Sequence, residues 1–447
     1  MCVSEWGSFL MKKAVRLIVM SAVNILICVF VGFALILLVY MIPTEHIRDN
    51  VLHSAEMYQY EQVGFTIQGP QFVFSTVDNY TDGLMLLTAM QNNSTGSLLI
   101  NALYNYRIGY HDEVPNGSIV IESQNNPDNI QKFNISYARY WHGYLIWMKP
   151  LLLKFDAQGI RVLGMFSQFI LAFFLLYLVV AKLGLRYGVA FLTTWLIMNP
   201  LALASSFQYY SIFYLILIAS IIALLYWKKI DDRAAWPFYF LNIGIAVGYF
   251  DLFTYPIASL GIPLILYFLL AWKNQRGQSL ANSIGKIVVY TLFWGIGYGA
   301  MWAGKWILTE LLTPYSAIRD ALTEIFFRVD GRGEDVSALQ AIRANVEVLC
   351  KWPFVILFTG ILLVIVILLL RRKWKLDLHK KKTLLLFLIA LFPFAWYVGV
   401  KQHSSIHYYF TYRGLAVTVF AFLCILFDNV SEQSGKDRSK QTDSVAL

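Results

Sequence analysis

Charged residues are scarce in this chain. They make up 14% of its 447 residues, whereas hydrophobic residues make up 58%, and the mean hydropathy is +0.57. An ordinary soluble domain carries roughly 25% charged residues. The composition therefore excludes an ordinary soluble protein and indicates a protein with several membrane spans.

Cysteine is also scarce, and the four cysteines show no paired spacing. Cys28 and Cys424 lie within apolar segments, so neither a disulfide framework nor a zinc site is indicated. The net charge of +9 is scattered over short loops. Because nucleic-acid binding requires basic residues clustered on one surface, no nucleic-acid partner is expected.

Long apolar runs dominate what is present. A helix needs about 20 apolar residues to cross the roughly 30 Å hydrocarbon layer. Runs of this kind predict an all-α, polytopic membrane helix bundle of about ten spans between residues 16 and 430. They lie at 16–42, 161–181, 186–204, 210–227, 236–250, 256–272, 283–304, 352–370, 383–400 and 413–428.

Lysine and arginine clusters mark one side of the predicted bundle. They precede the first span at Lys12 and Arg16 and recur after every second span, up to the block Arg371–Lys382. By the positive-inside rule these segments face the cytoplasm. We therefore expect a cytoplasmic N-terminus at 1–15 and a disordered cytoplasmic tail at 431–447. The first span is too long for a signal-peptide core, so we expect it to remain as an anchor.

The opposite, extracytoplasmic side carries two long segments. The first loop, 43–160, exceeds a hundred residues, and its pattern predicts a loop from Asn92 to Asn134 and an interfacial helix over SYARYWHGYLIWMKPLL. The second, 305–350, shows apolar stripes on both sides of RVDGRGED, which predict two amphipathic helices. These helices either gate a lipid-facing opening or merely cap the bundle.

Three aspartates on this side are candidates for chemistry. Asp78 and Asp82 lie four residues apart in DNYTD, at the predicted start of a helix. Carboxylates at that spacing share one face, so one can act as a base while the other orients it or holds a cation. Acidic residues also occur there simply as caps. Asp251 lies in a tight turn, where it has a functional partner or bonds the helix end before Pro256.

The end of the first loop carries Arg139, Trp141, His142 and Lys149. The planar guanidinium of arginine matches phosphate oxygens, and tryptophan offers an apolar face to a sugar ring. The same residue types collect at membrane interfaces purely as anchors. Both interpretations remain open for this segment.

The run KQHSSIHYYFTYRG places Lys401, His403, His407, Tyr412 and Arg413 on one short outer loop. Two histidines four residues apart can ligate a metal ion or clamp a phosphate. Because no H-E-x-x-H glutamate is present and the neighbouring cations repel a metal ion, anion binding is the preferred interpretation. A structural histidine pair is the alternative. No cofactor is required, although a divalent cation remains open.

The outer side thus combines acids with bases. Transfer of a group from a lipid phosphate needs both, because the acceptor hydroxyl loses a proton while the departing phosphate is neutralised. In this layout the chain resembles the GT-C superfamily of integral-membrane glycosyltransferases, with a cytoplasmic N-terminus, acids in a long first outer loop, many spans, and bases in later outer loops. Unlike some members, it has D-x-x-x-D in place of D-x-D, and it lacks a large soluble C-terminal domain.

The resemblance implies a sugar donor carried on polyprenyl phosphate and a glycan, lipid or protein acceptor, in cell-envelope polysaccharide biosynthesis at a bacterial plasma membrane. It implies that the catalytic base of an inverting transfer is Asp78, which matches the family's position best, or Asp82, which is the second-best match. The phosphate is then expected to leave into a pocket of Arg139, His403, His407 and Arg413.

Two other functions compete with this one. A polysaccharide polymerase or ligase acting on undecaprenyl-diphosphate glycans also needs outward Arg and His, but its long outer loop usually lies late in the chain. A transporter or flippase of lipid-linked sugars is expected to show ionisable residues along a midplane path and paired broken helices. Lys286 and Lys305 lie near the two ends of one predicted span instead.

Overall fold

The computed structural model describes residues 3–61, 65–69, 71–91, 97–108, 120–121, 125, 134–274, 279–330, 336–371 and 374–432. Within these ranges the chain is a helical bundle with two short antiparallel strand pairs and one isolated bridge between Thr66 and Thr76. Seven helical segments are long and apolar enough to cross a bilayer. The predicted all-α, multi-pass architecture is confirmed at this level.

The helices up to the first re-entry into the bundle are α1 (Val3–Tyr40), α2 (Glu45–His53), α3 (Ala55–Tyr60), α4 (Asn79–Met90), α5 (Leu98–Tyr104) and α6 (Leu145–Leu152). The middle of the chain forms α7 (Ala157–Leu183), α8 (Leu185–Ile197), α9 (Pro200–Ser205), α10 (Phe207–Asp232), α11 (Trp236–Phe250), α12 (Ile257–Lys273) and α13 (Leu280–Leu312).

The last part of the chain forms α14 (Ala317–Asp330), α15 (Ala338–Leu349), α16 (Trp352–Leu370), α17 (Lys380–Ala390), α18 (Phe392–Gly399), α19 (Lys401–Ile406), α20 (Tyr408–Thr411) and α21 (Ala416–Asp428). Short 3-10 turns cover Val73–Ser75 and Tyr412–Leu415. The strands are β1 (Arg107–Ile108) with β2 (Asn134–Ile135), and β3 (Trp374–Leu376) with β4 (Val430–Glu432).

Every predicted span lies largely within helix. The seven long segments are Val15–Tyr40, Ala157–Leu183, Phe207–Asp232, Leu280–Leu312, Trp352–Leu370, Lys380–Gly399 and Tyr408–Asp428. Of the other three predicted spans, 236–250 and 256–272 correspond to α11 and α12, of 15 and 17 residues. The predicted span 186–204 is broken, because α8 has only 13 residues and a turn at Met198 and Asn199 separates it from α9. A helix of 17 residues is about 26 Å long at 1.5 Å per residue, close to the lower limit for a span.

Helix α12 lies at the centre of the bundle. Its residues from Ile257 to Ala271 are all buried, as expected of a helix that is apolar on every side. It contacts α10, α11, α17, α18 and α21. Helix α16 is the opposite case, because only Phe354 and Ile365 of its 19 residues are buried.

Helices α11 and α13 approach each other closely through two glycines. A Cβ on Gly244 would lie 2.0 Å from the carbonyl oxygen of Trp294, and a Cβ on Gly297 would lie 2.2 Å from that of Leu241. Small residues at such crossings let two backbones touch, which is the usual packing of membrane helices. This contact holds together α11, which ends just before Asp251, and α13, which carries Trp302.

The expectations for the long loops meet mixed outcomes. The helix predicted over SYARYWHGYLIWMKPLL is present only in its second half, as α6, because residues 136–144 form turns. The two helices predicted around RVDGRGED are present as α14 and α15. The expected loop from Asn92 to Asn134 is wrong in part, because the apolar stretch LLINALY forms α5, capped by the Ser97 side chain. Of the expected tail, Ser431 and Glu432 pair in β4, and 433–447 lie outside the described residues.

Candidate functional site

We call the end of the bundle at which α1 ends and α7 begins the outer end. Asp78 lies there as the N-cap of α4. Its Oδ1 accepts the backbone N–H of Thr81 at 3.0 Å, and its Oδ2 accepts the Thr81 hydroxyl at 2.8 Å and the Tyr409 hydroxyl at 3.1 Å. The side chain is buried, and this burial raises the pKa of Asp78 although the three hydrogen bonds oppose the rise.

Asp82 is one turn further along α4 and has a different environment. Its carboxylate accepts the Ser206 hydroxyl at 3.0 Å and the backbone N–H groups of Phe207 and Gln208 at 2.9 Å each. The side chain is fully buried, and this burial raises the pKa of Asp82 to about 7 against the opposing charge of Arg161. Asp82 therefore caps the first turn of α10 from a distant part of the chain.

Arg161 completes this cluster from α7. Its guanidinium lies 2.6 Å from the Glu61 carboxylate, donates to the Asn79 side chain at 2.8 Å and lies 3.8 Å from the Asp82 carboxylate. Arg161 is buried, so removing either carboxylate would leave a buried charge with fewer partners. The cluster ties the first loop to α7 and α10.

Tyr412 and Arg413 hold the segment before Asp78. The Tyr412 hydroxyl and Nη2 of Arg413 donate to the carbonyl oxygen of Phe74 at 3.3 and 3.2 Å, and Nε of Arg413 donates to the Met198 carbonyl at 2.9 Å. Both side chains are completely buried. The structure therefore does not bring Arg413 into an open phosphate pocket, and its donors position the backbone that carries Asp78.

His403 and His407 lie side by side, with ring centroids 4.6 Å apart. Nε2 of His403 is 2.8 Å from the Phe253 carbonyl and Nδ1 is 2.6 Å from Nη1 of Arg328. Since a carbonyl only accepts and a guanidinium only donates, these partners assign the proton of His403 to Nε2. Burial and the charge of Arg328 hold the pKa of His403 well below its usual value.

The pKa of His407 is lowered to about 4, first by burial and then by Arg328. Both rings are therefore neutral at pH 7. A neutral histidine does not supply the positive charge that an anion clamp requires. The geometry therefore favours the alternative of a structural histidine pair over the preferred interpretation of anion binding, and the His403–His407 pair links two parts of the site.

Arg139 joins a charge-balanced cluster with residues of α14. Its Nη1 lies 3.1 Å from Asp320 and 3.2 Å from Glu324, and Nη2 of Arg328 lies 3.3 Å from Glu324. Nη2 of Arg328 also donates to the Tyr140 hydroxyl at 2.9 Å. Two guanidinium groups thus face two carboxylates, so the cluster has no net charge with which to attract phosphate.

A cavity of about 140 Å³ lies against this cluster. Its walls include two guanidinium side chains, one carboxylate and five aromatic rings. These residues are Arg139, Arg328, Glu324, Tyr140, Phe253, Trp302, Trp306 and Trp396. We call it the aromatic cavity. It is formed by the first loop, the turn after α11, and helices α13, α14 and α18.

Phe253 is the strained residue of this cavity. Its φ of +67° is in the left-handed region, which is uncommon for a bulky side chain. The His403 bond to its carbonyl and the Arg328 guanidinium, 5.1 Å above its ring, hold it in place. Strain of this kind persists only where surrounding contacts impose it, and it clusters at functional sites.

The remaining predicted residues lie outside the aromatic cavity. Trp141 is buried and donates its indole N–H to the Met301 carbonyl at 2.7 Å. His142 is also buried, and both ring nitrogens lie near partners, Nδ1 at 3.2 Å from the Tyr144 hydroxyl and Nε2 at 3.1 Å from the Tyr137 carbonyl. Burial lowers the pKa of His142 to about 3, so it is neutral.

Asp251 bonds its own turn. It accepts the backbone N–H and the hydroxyl of Thr254 at 3.1 and 2.5 Å, and burial raises the pKa of Asp251 to about 6. These bonds match the alternative interpretation of a local helix-end contact. Lys401 is partly exposed at the first residue of α19.

A second, much larger opening lies on the bundle surface near Asp78. This apolar groove of about 870 Å³ is lined mainly by aromatic and aliphatic residues of the first loop, α7, α8 and α16. Its lining comprises Gln68, Phe72, Phe74, Phe169, Phe173, Leu192, Trp195, Leu196, Asn199, Pro200, Leu201, Trp352, Pro353, Phe354, Ile356 and Leu357. Phe74 is the residue whose carbonyl Tyr412 and Arg413 hold, so the groove shares a wall with the Asp78 segment.

The structure therefore brings Asp78, His403, His407 and Arg139 into one connected series of contacts, although Asp78 does not line the aromatic cavity. Sequence reasoning missed Arg328 and Glu324, which link the two regions. The i, i+4 spacing of Asp320, Glu324 and Arg328 on one helix face was the available signal. Within the described ranges no group of three or more His, Cys, Asp or Glu is placed to hold a metal ion.

Comparison of this chain with protein-family models, curated proteins and solved structures gave no match. Its function is therefore inferred from the chemistry of the site.

Proposed function

We propose that this chain is a membrane glycosyltransferase of the GT-C type, which moves a sugar from a polyprenyl-phosphate donor to an acceptor hydroxyl on the extracytoplasmic face. Asp78 is the general base. The observation that carries this proposal is the placement of the Asp78 carboxylate, which is buried at the start of α4 and hydrogen-bonded to Tyr409 of the last span. The first loop and the last long apolar segment of the chain therefore meet at the Asp78 carboxylate.

Asp78 suits a general base better than Asp82 does. Three hydrogen bonds from Ser206, Phe207 and Gln208 occupy the Asp82 carboxylate and hold the start of α10. Two of the three donors to Asp78 are hydroxyl groups, which can rotate to other acceptors. Burial raises the pKa of both carboxyls, so basicity does not separate them, and the choice of Asp78 rests on its exchangeable hydroxyl donors.

The apolar groove supports a lipid-linked donor. Its aromatic and aliphatic walls match an isoprenoid chain, and Phe72 and Phe74 bring it next to the segment that carries Asp78. Burying apolar surface contributes about 25 cal/mol per Å², so a chain lying in this groove is held without polar contacts. In this proposal the donor phosphate lies at the outer end of the bundle.

The phosphate is assigned to the rim of the groove and not to the predicted pocket. Arg139 is ion-paired, Arg413 is buried on carbonyl oxygens, and both histidines are neutral. Lys351 is exposed and directly precedes Trp352 and Pro353 of the groove wall. A lysine ammonium there offsets the charge that develops on the leaving phosphate.

The transfer is an inverting displacement. The acceptor hydroxyl attacks the anomeric carbon, its proton passes to Asp78, and the bond from that carbon to the phosphate oxygen breaks with its electron pair staying on the phosphate. General-base assistance contributes about 10² to 10⁴-fold in rate. No residue of the aromatic cavity needs to take part in this step.

The test uses the full-length protein in liposomes with polyprenyl-phosphate hexoses and pentoses as donors. Asp78→Asn is expected to lower the transfer rate at least 10²-fold, while the protein remains monodisperse and the donor still binds. An Asp78→Asn variant with wild-type transfer contradicts the proposal. Movement of the lipid-linked sugar across the bilayer without transfer supports a flippase instead, and transfer of preassembled oligosaccharides supports a polymerase or ligase.

A further inference from the structure

Helix α14 carries its charged residues on the face that packs against the rest of the protein. Asp320, Glu324 and Arg328 lie four residues apart along the helix, and all three belong to the charged cluster around Arg139. Arg328 also contacts His403 from this face. A helix on the surface of a soluble protein has the reverse arrangement, because its charged residues turn towards water.

The opposite, exposed face of α14 is largely apolar. Ile318, Leu322 and Phe326 are 38%, 45% and 67% exposed. Residues four apart lie on one side of an α-helix, so these three side chains form a stripe. Arg319 and Thr323 flank the stripe and are also exposed. Water is an unfavourable neighbour for such a stripe, so we expect a non-aqueous surface to cover it.

Helix α15 provides a comparison within the same outer segment. Its residues Ala341 and Val348 are buried, and its exposed face carries the ion pair of Arg343 with Glu347, with Leu339 exposed in the first turn. This is the ordinary orientation of an amphipathic helix next to water. The two helices are therefore oriented oppositely, which indicates that they face different surroundings.

The place of α14 in the chain identifies its surroundings as the bilayer. Only Thr313 to Ser316 separate α14 from the long apolar helix α13, so the two helix ends lie within about 18 Å of each other. Leu311 and Leu312 at the end of α13 are exposed as well. Arg319 is the charged side chain on the exposed face of residues 317–329, and a cation there suits the phosphate groups of lipid head groups.

A protein partner fits this face less well than lipid does. A stable protein–protein interface buries about 800 Å² on each side, which is more than a stripe of three side chains supplies. An interfacial helix, in contrast, needs only one apolar face along its length and polar residues beside it.

We propose that α14 is an interfacial helix, with Ile318, Leu322 and Phe326 inserted into the leaflet at the outer end of the bundle. The opposite face of the same helix holds Arg139, so the membrane surface supports one wall of the aromatic cavity. This role goes beyond the proposed function and is independent of the reaction that the protein catalyses.

The test is EPR spectroscopy of single spin labels on the full-length protein in lipid nanodiscs. The labels are attached to Leu322→Cys and Phe326→Cys, in a background in which the four native cysteines are replaced by alanine. Oxygen concentrates in hydrocarbon and a nickel chelate stays in water, so the ratio of the two collision rates reports the depth of each label. Size-exclusion chromatography checks that each labelled protein elutes as the wild type does.

Arg343→Cys is the matched control, because Arg343 lies on the exposed polar face of α15 in the same outer segment. We expect the ratio of oxygen to nickel collisions to be several-fold higher at both α14 positions than at this control. Two positions are labelled on α14 so that the result does not depend on one variant.

A second measurement uses the wild-type protein and a phosphatidylcholine with a photoreactive group in its acyl chain. The tryptic peptide from Asp320 to Arg328 contains Leu322 and Phe326. We expect this peptide to carry the lipid adduct after irradiation. An unmodified peptide contradicts insertion of the stripe.

Two results of the EPR measurement overturn the proposal. Labels on α14 that collide with the nickel chelate as often as the Arg343→Cys label does would show that the stripe faces water. Labels that are shielded from both reagents would show that protein covers the stripe, and dipolar broadening between labels would identify that protein as a second copy of this chain.

Discussion

The Tyr409 hydroxyl donates a hydrogen bond to the Asp78 carboxylate, with 3.1 Å between the oxygens, although the two residues are 331 positions apart in the sequence. Tyr409 is the second residue of the last long apolar segment, and Asp78 is the last residue before α4. The contact makes the ionisation of the proposed base depend on a residue from the far end of the chain.

Tyr409→Phe is expected to move the acidic limb of the pH–rate profile to higher pH. The hydrogen bond from Tyr409 favours the ionised carboxylate and so lowers the pKa of Asp78. Its loss therefore adds a further rise in this pKa to the rise that burial causes. The base must be ionised to act, and the deficit in rate is therefore largest at acidic pH and shrinks as pH increases. The measurement is kcat/KM for transfer across pH 5 to 9.

Tyr408→Phe is the control for this prediction, since Tyr408 is the adjacent and exposed tyrosine. It should leave the profile in place. An unshifted profile in Tyr409→Phe would show that the bond does not tune the reacting carboxyl.

Asp82→Ala is expected to destabilise the fold by on the order of 3 kcal/mol. The substitution removes the acceptor of Ser206, Phe207 and Gln208 at the start of α10, and each buried donor left unpaired costs about 1–3 kcal/mol, with partial relief by relaxation. The apparent melting temperature in detergent reports this loss. Asp78→Asn retains an acceptor oxygen and should melt much closer to the wild type; equal melting of both variants contradicts the structural role of Asp82.

Arg328 and Glu324 are expected to be energetically coupled. Their side chains are only 18% and 19% exposed, with 3.3 Å between Nη2 and Oε1. A double-mutant cycle of Arg328→Gln and Glu324→Gln should give a coupling of about 1 kcal/mol in thermal stability, because each single variant leaves the other charge partly buried.

The exposed pair of Arg343 and Glu347 on α15 is the control for this cycle. Solvent screens an exposed pair, so no measurable coupling is expected there. Additive effects at Arg328 and Glu324 would show that the cluster does not act as a unit.

Filling the apolar groove should impair the use of long-chain donors. Leu357 lines the groove, so Leu357→Trp is expected to raise KM several-fold for a long polyprenyl donor and much less for a two-isoprene analogue, because only the long chain extends along the groove. Leu362→Trp is the control, since Leu362 is exposed on the same helix and does not line the groove. A KM that rises equally for both donors argues against a lipid groove.

Much of the helical framework was predictable because crossing hydrocarbon imposes a length and a composition on each segment separately. The segment 236–250 was predicted with the bounds at which α11 begins and ends. The last span was predicted too short, as 413–428, because Tyr408–Arg413 carries polar side chains. Those polar atoms bond backbone carbonyls and Asp78 inside the bundle, which no local pattern indicates.

Within the site, the acidic motif DNYTD and the histidine pair were found from their spacing, whereas their partners were not. Spacing on a helix predicts that Asp78 and Asp82 lie on adjacent turns, but it does not reveal that one meets Tyr409 and the other caps α10. Arg413 was predicted as a phosphate ligand because it shares the loop KQHSSIHYYFTYRG with the two histidines. Its burial on the carbonyls of Phe74 and Met198 depends on two distant segments.

The amino-acid sequence alone determined that this chain forms apolar helices and that its polar residues concentrate in a few segments, because hydrophobicity adds up along the chain irrespective of what each residue touches. Only the tertiary structure decided which polar groups meet. A hydrogen bond or an ion pair requires atoms within about 3 Å, and that distance is set by the packing of helices far apart in sequence, as for Asp78 with Tyr409 and Glu324 with Arg139.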